Sequence, residues 1–332
     1  MIEEEKKRLY LDEPVVSSFF IGEMGWMIQR WQGYLRHLKQ TKYQDHKFLI
    51  LMNVQYHPLV NDFITYTIDL PPQFYALGLE TDCYEAPFPD DSSGSLTPPE
   101  IYVDVIKFLR NFYNRNKAIE IWPPRGASMW VESQPQIFAG YKSTEKISSD
   151  RPILTIFPRG RSRAPQRNVP EYVWKEVVDR LKDSFTIVLG GTPSGSALAD
   201  YEDENVINLI RYSGDDKLEK IMTYLNSSEL SISSQSGPTH LSLACCTPSY
   251  IIGHEKERHV GRENRWKTST SFRTTQDYRA IDANTIITDT FGFLKALSER
   301  PKAIMPTEQE FESELLQSTS ILHKEIQDGM TE

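Results

Sequence analysis

The residues best suited to chemistry lie in short segments that each follow an apolar run. Arg159-Gly160-Arg161-Ser162-Arg163 comes directly after Ile153–Phe157 and Pro158. Guanidinium groups present planar forks of N–H donors that match phosphate oxygens. Three of them in five residues at a strand end point to an anionic ligand, although a solvated basic loop would use the same residues. Gly190-Gly191-Thr192 follows Phe185–Leu189. Paired glycines let a nucleobase or ribose approach the backbone, as they also let a chain turn tightly. Ser236-Gly237-Pro238-Thr239-His240 comes shortly after the apolar segment Leu230–Ile232. Small residues with Pro in a first helical turn leave backbone N–H groups free at a helix start, where the dipole favours an anion. A capped core helix is the competing reading, and His240 taken alone reads as a packed first-turn histidine. In the first half, Gly22-Glu23-Met24-Gly25 follows Val15–Ile21. It puts a carboxylate at a strand end, as a base or as a partner of the helix dipole.

Such segments need a scaffold that ends several strands at one edge, and the periodicity supplies it. After Val15–Ile21, the residues Met24, Met27, Ile28, Trp31, Leu35 and Leu38 recur at three- and four-residue steps, the stripe of a buried helix face. Phe48–Val54, Phe63–Ile68 and Lys117–Trp122 read as further strands, and Thr97-Pro98-Pro99 starts a helix that runs to about Asn114. Residues 70–100, rich in Pro, Gly, Ser and Asp, read as a long surface excursion. The second half alternates strand and helix: Ile153–Phe157, a helix marked by Val173, Val177 and Leu181, Phe185–Leu189, Val206–Ile210, a helix marked by Leu218, Ile221, Met222 and Leu225, Leu230–Ile232, Thr239–Cys245 and Tyr250–Ile252. This alternation predicts a doubly wound parallel sheet, with ligands outside the carboxyl ends of its strands. The polar stretch 141–150 marks a linker. The expected domains are therefore residues 1–145, residues 150–300 and a helical tail over 301–332.

Composition narrows the function classes. The 332 residues are 39% hydrophobic and 25% charged, ordinary for a globular protein, and suffice for two α/β domains. A net charge of −9 excludes a polyanion binder that works through its whole surface. Cys83, Cys245 and Cys246 form no disulfide framework and no zinc spacing, and read as free thiols in a reducing compartment. The mixed-charge N-terminus lacks the apolar core of a signal peptide, and the longest apolar runs are strand-sized. A cytoplasmic protein is expected, with peripheral membrane attachment left open.

In order, FPRGRSR, VLGGTPSG and SSQSGPTHLSLACCTPSYIIG resemble the C-terminal lobe of the ADP-heptose:lipopolysaccharide heptosyltransferase family, over about residues 152–255. That family is a GT-B group, so the resemblance implies an α/β GT-B fold of two Rossmann-like lobes facing a cleft. The N-terminal lobe would take the acceptor and the C-terminal lobe the nucleotide-sugar. It also implies that Arg159, Arg161, Arg163, Ser236, Gly237, Pro238, Thr239 and His240 surround the donor diphosphate, and that Gly190, Gly191 and Thr192 lie beside the nucleoside. Glu23 holds the place of the family's aspartate after the first strand, and so stands as the general base. Glu255, after Tyr250–Ile252, is the carboxylate for the donor ribose or sugar, although most of His254–His259 reads as a charged surface loop. The sequence departs from the family pattern at Ser234-Gln235, where Asn-Asp is usual, and in its arginine series. The donor sugar is therefore not carried over.

The expected activity is transfer of a hexosyl or pentosyl group from a nucleotide-diphosphate-sugar to a hydroxyl acceptor, in glycan or polysaccharide synthesis. No Asp-x-Asp triplet occurs, so a metal-independent reaction is expected, with the nucleotide-sugar as co-substrate and no other cofactor. Three alternatives stand beside it. A nicotinamide enzyme needs Gly-x-Gly-x-x-Gly after a strand, and Gly22-Glu23-Met24-Gly25 is not that pattern. The second is a non-catalytic nucleotide- or glycan-binding protein of the same fold. The third is a sugar transferase acting on modified nucleic acid, for which Arg262, Arg265, Trp266, Phe272 and Arg273 would have to form a basic aromatic groove. An ordinary charged loop is preferred there.

Overall fold

Runs such as Val15–Phe19 and Ile153–Phe157 have no polar face, so they need cover on both sides, which parallel sheets provide. The computed structural model describes residues 13–22, 24–71, 99–112, 118–122, 134–143, 145–162 and 164–299. In it these runs form two all-parallel sheets. The first, four-stranded, has the order β3-β2-β1-β4, from β1 (Val15–Phe19), β2 (Lys47–Met52), β3 (Tyr66–Asp69) and β4 (Ala118–Glu120). The second, six-stranded, has the order β10-β9-β8-β5-β6-β7. Its strands are β5 (Ile153–Phe157), β6 (Thr186–Leu189), β7 (Val206–Asn208), β8 (Ser228–Ser234), β9 (Ser249–Gly253) and β10 (Thr270–Thr274). The chain forms two compact units, Met1–Phe291 and Gly292–Glu332, and both sheets belong to the first.

Each sheet reverses its winding at one place. The chain runs β1 to β2 to β3 in one direction and returns to place β4 on the other side of β1. It runs β5, β6, β7 outward one way, and β8, β9, β10 the other. Adjacent strands whose connections leave in opposite directions open a crevice at their carboxyl ends, where ligands of such sheets sit. The crevices here follow β1 and β4 in one sheet, and β5 and β8 in the other.

The helix after β1 bridges the two sheets. It consists of α1 (Met24–Trp26), a π-helical turn (Met27–Trp31) and α2 (Gln32–Gln40). The expected stripe is buried at Met27, Ile28, Trp31, Leu35 and Leu38, while Met24 is partly covered. These residues share one core cluster with Ile153 and Phe157 of β5 and with side chains of α5 (Lys217–Ser227) and α6 (Gly237–Ala244). The polar residues between the stripe positions, Gln29, Arg30, Gln32 and Arg36, are buried as well. Each has a partner. Arg36 pairs with Asp62 (Nη2 to Oδ1, 2.7 Å) and lies over the Phe63 ring, and Gln32 donates to Ile28 O at 3.0 Å.

Several boundaries differ from the sequence expectation. β3 starts at Tyr66 because Phe63 turns inward onto Phe48, with ring centroids 6.5 Å apart. β7 stops at Asn208, whose amide donates to Leu198 O and Tyr201 O and accepts from Ile210 N–H. β10 and α7 (Ala283–Ser298) were not anticipated. The remaining α-helices among the described residues are α3 (Pro99–Phe112) and α4 (Glu171–Leu181). The excursion expected over 70–100 falls almost wholly, and the tail over 301–332 wholly, outside the described residues. Among the described residues no helix is long and apolar enough to cross a membrane.

The loops after β5 and β6 are joined by their backbones. Gly160 N–H donates to Gly195 O at 3.0 Å, and Ala197 N–H to Pro158 O at 2.7 Å. A Cβ on Gly160 would stand 2.4 Å from Ala197 N and 2.7 Å from Ser196 C. Gly160→Ala is therefore expected to destabilise the protein by about 1–3 kcal/mol, read as a lower urea midpoint. Gly261→Ala, whose new methyl meets nothing within 4 Å, should not lower the midpoint. An unchanged midpoint in Gly160→Ala would contradict the close approach of the loops.

Candidate functional site

The carboxyl ends of β1, β5, β6, β8 and β9 surround two adjoining cavities. The first, about 160 Å³, is largely apolar, with Phe157, Leu218, Ile221 and Leu241 from the second half and Met24 and Tyr56 from the first. Gly190, Gly191 and Thr192 line it after β6, and Arg159, Arg161, Ser236, Gly237 and Pro238 after β5 and β8. The second, about 220 Å³, is lined by Gly25, Arg159, Arg161, Ser236 and Gly237, which also line the first. To these it adds Gln29, Arg30, Arg167, His240, Glu255, Arg258, His259 and Glu263. An apolar chamber thus opens beside a strongly basic one, and the start of α6 stands where they meet.

Most residues singled out in the sequence border these cavities. Thr239 does not: it is fully buried, and its hydroxyl donates to Ser234 O at 3.1 Å and accepts from Ser236 N–H at 3.3 Å, which fixes the turn into α6. Arg159 is tied into its own loop, donating to Asn168 Oδ1 and to Ala164 O at 3.2 Å. Glu23 and Arg163 lie outside the described residues. Arg167 was missed in the sequence, although it continues the arginine series. It donates to Gln235 O and keeps a buried Nε with no hydrogen-bond partner.

Gln235, fully buried just after β8, uses both ends of its amide. Its oxygen accepts from the N–H groups of His254 (2.8 Å) and Glu255 (3.1 Å), and its nitrogen donates to Glu255 Oε2 at 2.8 Å. Here an amide does what a carboxylate could not, since a carboxylate only accepts. Glu255 is held over the second cavity in consequence.

Beneath that cavity lies Glu263, 1% exposed. Its Oε1 accepts from Arg258 Nε at 2.6 Å and from Arg30 Nη2 at 3.4 Å. Its Oε2 stands 3.5 Å from both His240 Nε2 and His259 Nδ1. The ligand atoms of the three residues lie within 4.8 Å of one another, the composition of a metal seat. Gln29 Nε2 donates to Glu263 O at 2.9 Å and faces His240 Nδ1 at 3.1 Å. Among the described residues, Glu263 Oε2 and His259 Nδ1 have no hydrogen-bond partner. Arg30 and Arg258 supply guanidinium counter-charges to Glu263. Burial, together with His259, Arg258 and Arg30, holds the His240 pKa well below its ordinary value. Burial also pushes His259 down to about 4, against the opposing pull of Glu263. Both rings are neutral at pH 7 and stack with centroids 5.2 Å apart. None of Gln29, Arg30 or Glu263 is singled out in the sequence.

Three of the five residues considered for a nucleic-acid groove are engaged in the fold, whereas Arg262 is exposed. Trp266 Nε1 donates to Ala139 O at 2.9 Å, Arg265 lies over the Phe138 ring, and Arg273 pairs with Asp289 through Nε at 2.7 Å.

No protein-family model matches the chain, and no curated protein matches it by sequence. Solved structures do match. ADP-heptose LPS heptosyltransferase II of E. coli is 15% identical, with 86% of this chain and 99% of that chain covered at a TM-score of 0.53. E. coli heptosyltransferase WaaC with ADP gives 12%, 84%, 99% and 0.53, and a family 9 glycosyl transferase from Veillonella parvula gives 13%, 86%, 98% and 0.52. The chain has the GT-B fold. Its two sheets are the Rossmann-like halves of that fold, and the cavities lie between the loops of the GT-B halves, with Gly25 against Gly237 at their boundary. A Cβ on Gly25 would stand 3.3 Å from Gly237 Cα.

At the far end of the first cavity Lys217 is 5% exposed and donates to Ile210 O at 2.5 Å. Burial pushes its pKa from 10.5 down to about 8, so the folded chain holds this proton less tightly than the unfolded chain. The penalty is complete below pH 8 and vanishes as pH rises past 10.5, where neither state is protonated. Lys217→Met should then stabilise the unliganded protein by up to about 3 kcal/mol at pH 7, with the gain shrinking toward pH 10.5. Urea unfolding at pH 7 and at alkaline pH measures it. A gain independent of pH would mean that packing, not charge, is responsible.

Proposed function

We propose that this chain is a glycosyltransferase that moves a hexosyl or pentosyl group from a nucleoside-diphosphate-sugar to a hydroxyl acceptor in glycan or polysaccharide synthesis. The observation that carries this reading is the junction of an apolar cavity with a basic one at the start of α6. A nucleoside fits the first. A diphosphate fits the junction, where Arg161 and Arg167 supply donors and the positive end of the α6 dipole stands, and the sugar then enters the second beside Glu255. Guanidinium groups and a helix dipole take the role that a divalent cation has elsewhere, so the reaction needs no metal and no cofactor beyond the donor. The GT-B fold, shared with solved heptosyltransferases, supports sugar transfer as the chemistry. Glu23, between β1 and α1, is the general base that takes the acceptor proton.

Two variants test this. Arg167→Ala should weaken nucleoside diphosphate binding by on the order of 1.5–3 kcal/mol, while leaving the affinity for the free nucleoside unchanged; titration calorimetry compares the two ligands. Equal loss for both would remove Arg167 from the phosphate site. Glu23→Gln should keep its melting temperature and donor affinity, while turnover falls roughly a hundredfold or more. Lower melting temperature with unchanged turnover would instead assign Glu23 to the helix dipole.

A further inference from the structure

Among the described residues, Lys217 is the one cation that lines the first cavity and not the second. Arg159, Arg161, Ser236 and Gly237 line both cavities, whereas Lys217, Leu218 and Ile221 line the first alone. Its place is costly for the fold. It is buried, it opens α5 where the helix dipole is positive, and no carboxylate among the described residues pairs with it. The neighbouring Asp216 pairs with Lys220 instead, at 2.6 Å. Lys217 Nζ gives one of its three N–H groups to Ile210 O. A buried ammonium with donors to spare beside an apolar chamber calls for a ligand that brings acceptors.

With a diphosphate at the shared end, the base of the nucleotide reaches toward α5, where Tyr56 lines the same cavity. An ammonium offers only donors. A carbonyl oxygen at that point accepts a charge-assisted hydrogen bond. An exocyclic amino group there sets N–H against N–H and leaves the ammonium unpaired in a desolvated site. Resting on the donor reading above, we propose that Lys217 makes this a site for a keto base, uracil or guanine, and against the amino bases cytosine and adenine.

The test uses UDP, CDP, GDP and ADP, since UDP and CDP share sugar, phosphates and the 2-carbonyl and differ only on one edge of the base, where a 4-carbonyl beside N3–H replaces a 4-amino group beside an unprotonated N3. Titration of the full chain should show UDP over CDP, or GDP over ADP, by about tenfold or more. Lys217→Met should collapse the preferred pair to within about threefold, and Lys217→Arg, which keeps the donors, should retain the order of preference. Melting temperatures of both variants establish that they are folded. Equal affinity within both pairs, or preference for CDP and ADP, overturns the base assignment and leaves the donor reading standing. So does an equal loss for all four ligands in Lys217→Met, which would mark a phosphate contact. If none of the four binds the wild-type chain, the donor reading itself fails and this inference with it.

Discussion

One buried carboxylate ties the two halves together. Glu263 draws Arg30 from the first half and Arg258 from the second, and its backbone oxygen accepts from Gln29 of the first. Removing one partner from such a group leaves an uncompensated charge out of water, which is far more costly than the net gain of forming it. The helix α1–α2 can enter the space beside α6 with Gln29 and Arg30 facing inward because that carboxylate and its carbonyl meet them. The near contact of Gly25 with Gly237 follows, since a backbone can come that close only when nothing holds the helices apart.

The same cluster shapes the electrostatics of the cavities. Glu263 neutralises part of the charge of Arg30 and Arg258, and two neutral imidazoles lie over it. Arg161 borders both cavities, and Arg167 borders the second. Two π-helical turns among the described residues, Met27–Trp31 and Glu257–Arg262, carry Arg30 and His259 into this region. Such turns rotate side chains off the regular helical face, a device found often at functional sites.

The sequence was most legible where local chemistry and fold agree. The apolar runs that became β1, β2, β5 and β9 read directly, because a strand covered on both faces leaves no polar alternation to confuse. The loops after β5, β6 and β8 could be placed from the apolar runs before them, but arginines, paired glycines and a Ser-Gly-Pro turn also serve solvated loops, tight turns and helix caps, so residue type alone left their use open; Arg159 and Thr239 in fact fix their own turns. Polar residues in an enclosed helix were not readable. Gln29 and Arg30 occupy positions that, in an amphipathic helix, would face water, and only the fold reveals Glu263 opposite them, 233 positions away from Arg30. Lys217 was hidden by the same habit at the start of a regular amphipathic pattern. β10, Thr270–Thr274, has no buried residue along its length, so no apolar run announced it.

The backbone bonds that join the loops after β5 and β6 bear on affinity through entropy. Gly160 to Gly195, Ala197 to Pro158 and Gly195 to Thr192 are bonded before any ligand arrives. Fixing one loose residue costs about 1–2 kcal/mol, and a micromolar ligand has only about 8 kcal/mol of binding free energy in all. Five residues ordered on binding would consume most of that. Because these loops are ordered by the fold, that conformational cost is met once, when the chain folds, and not again each time a ligand binds.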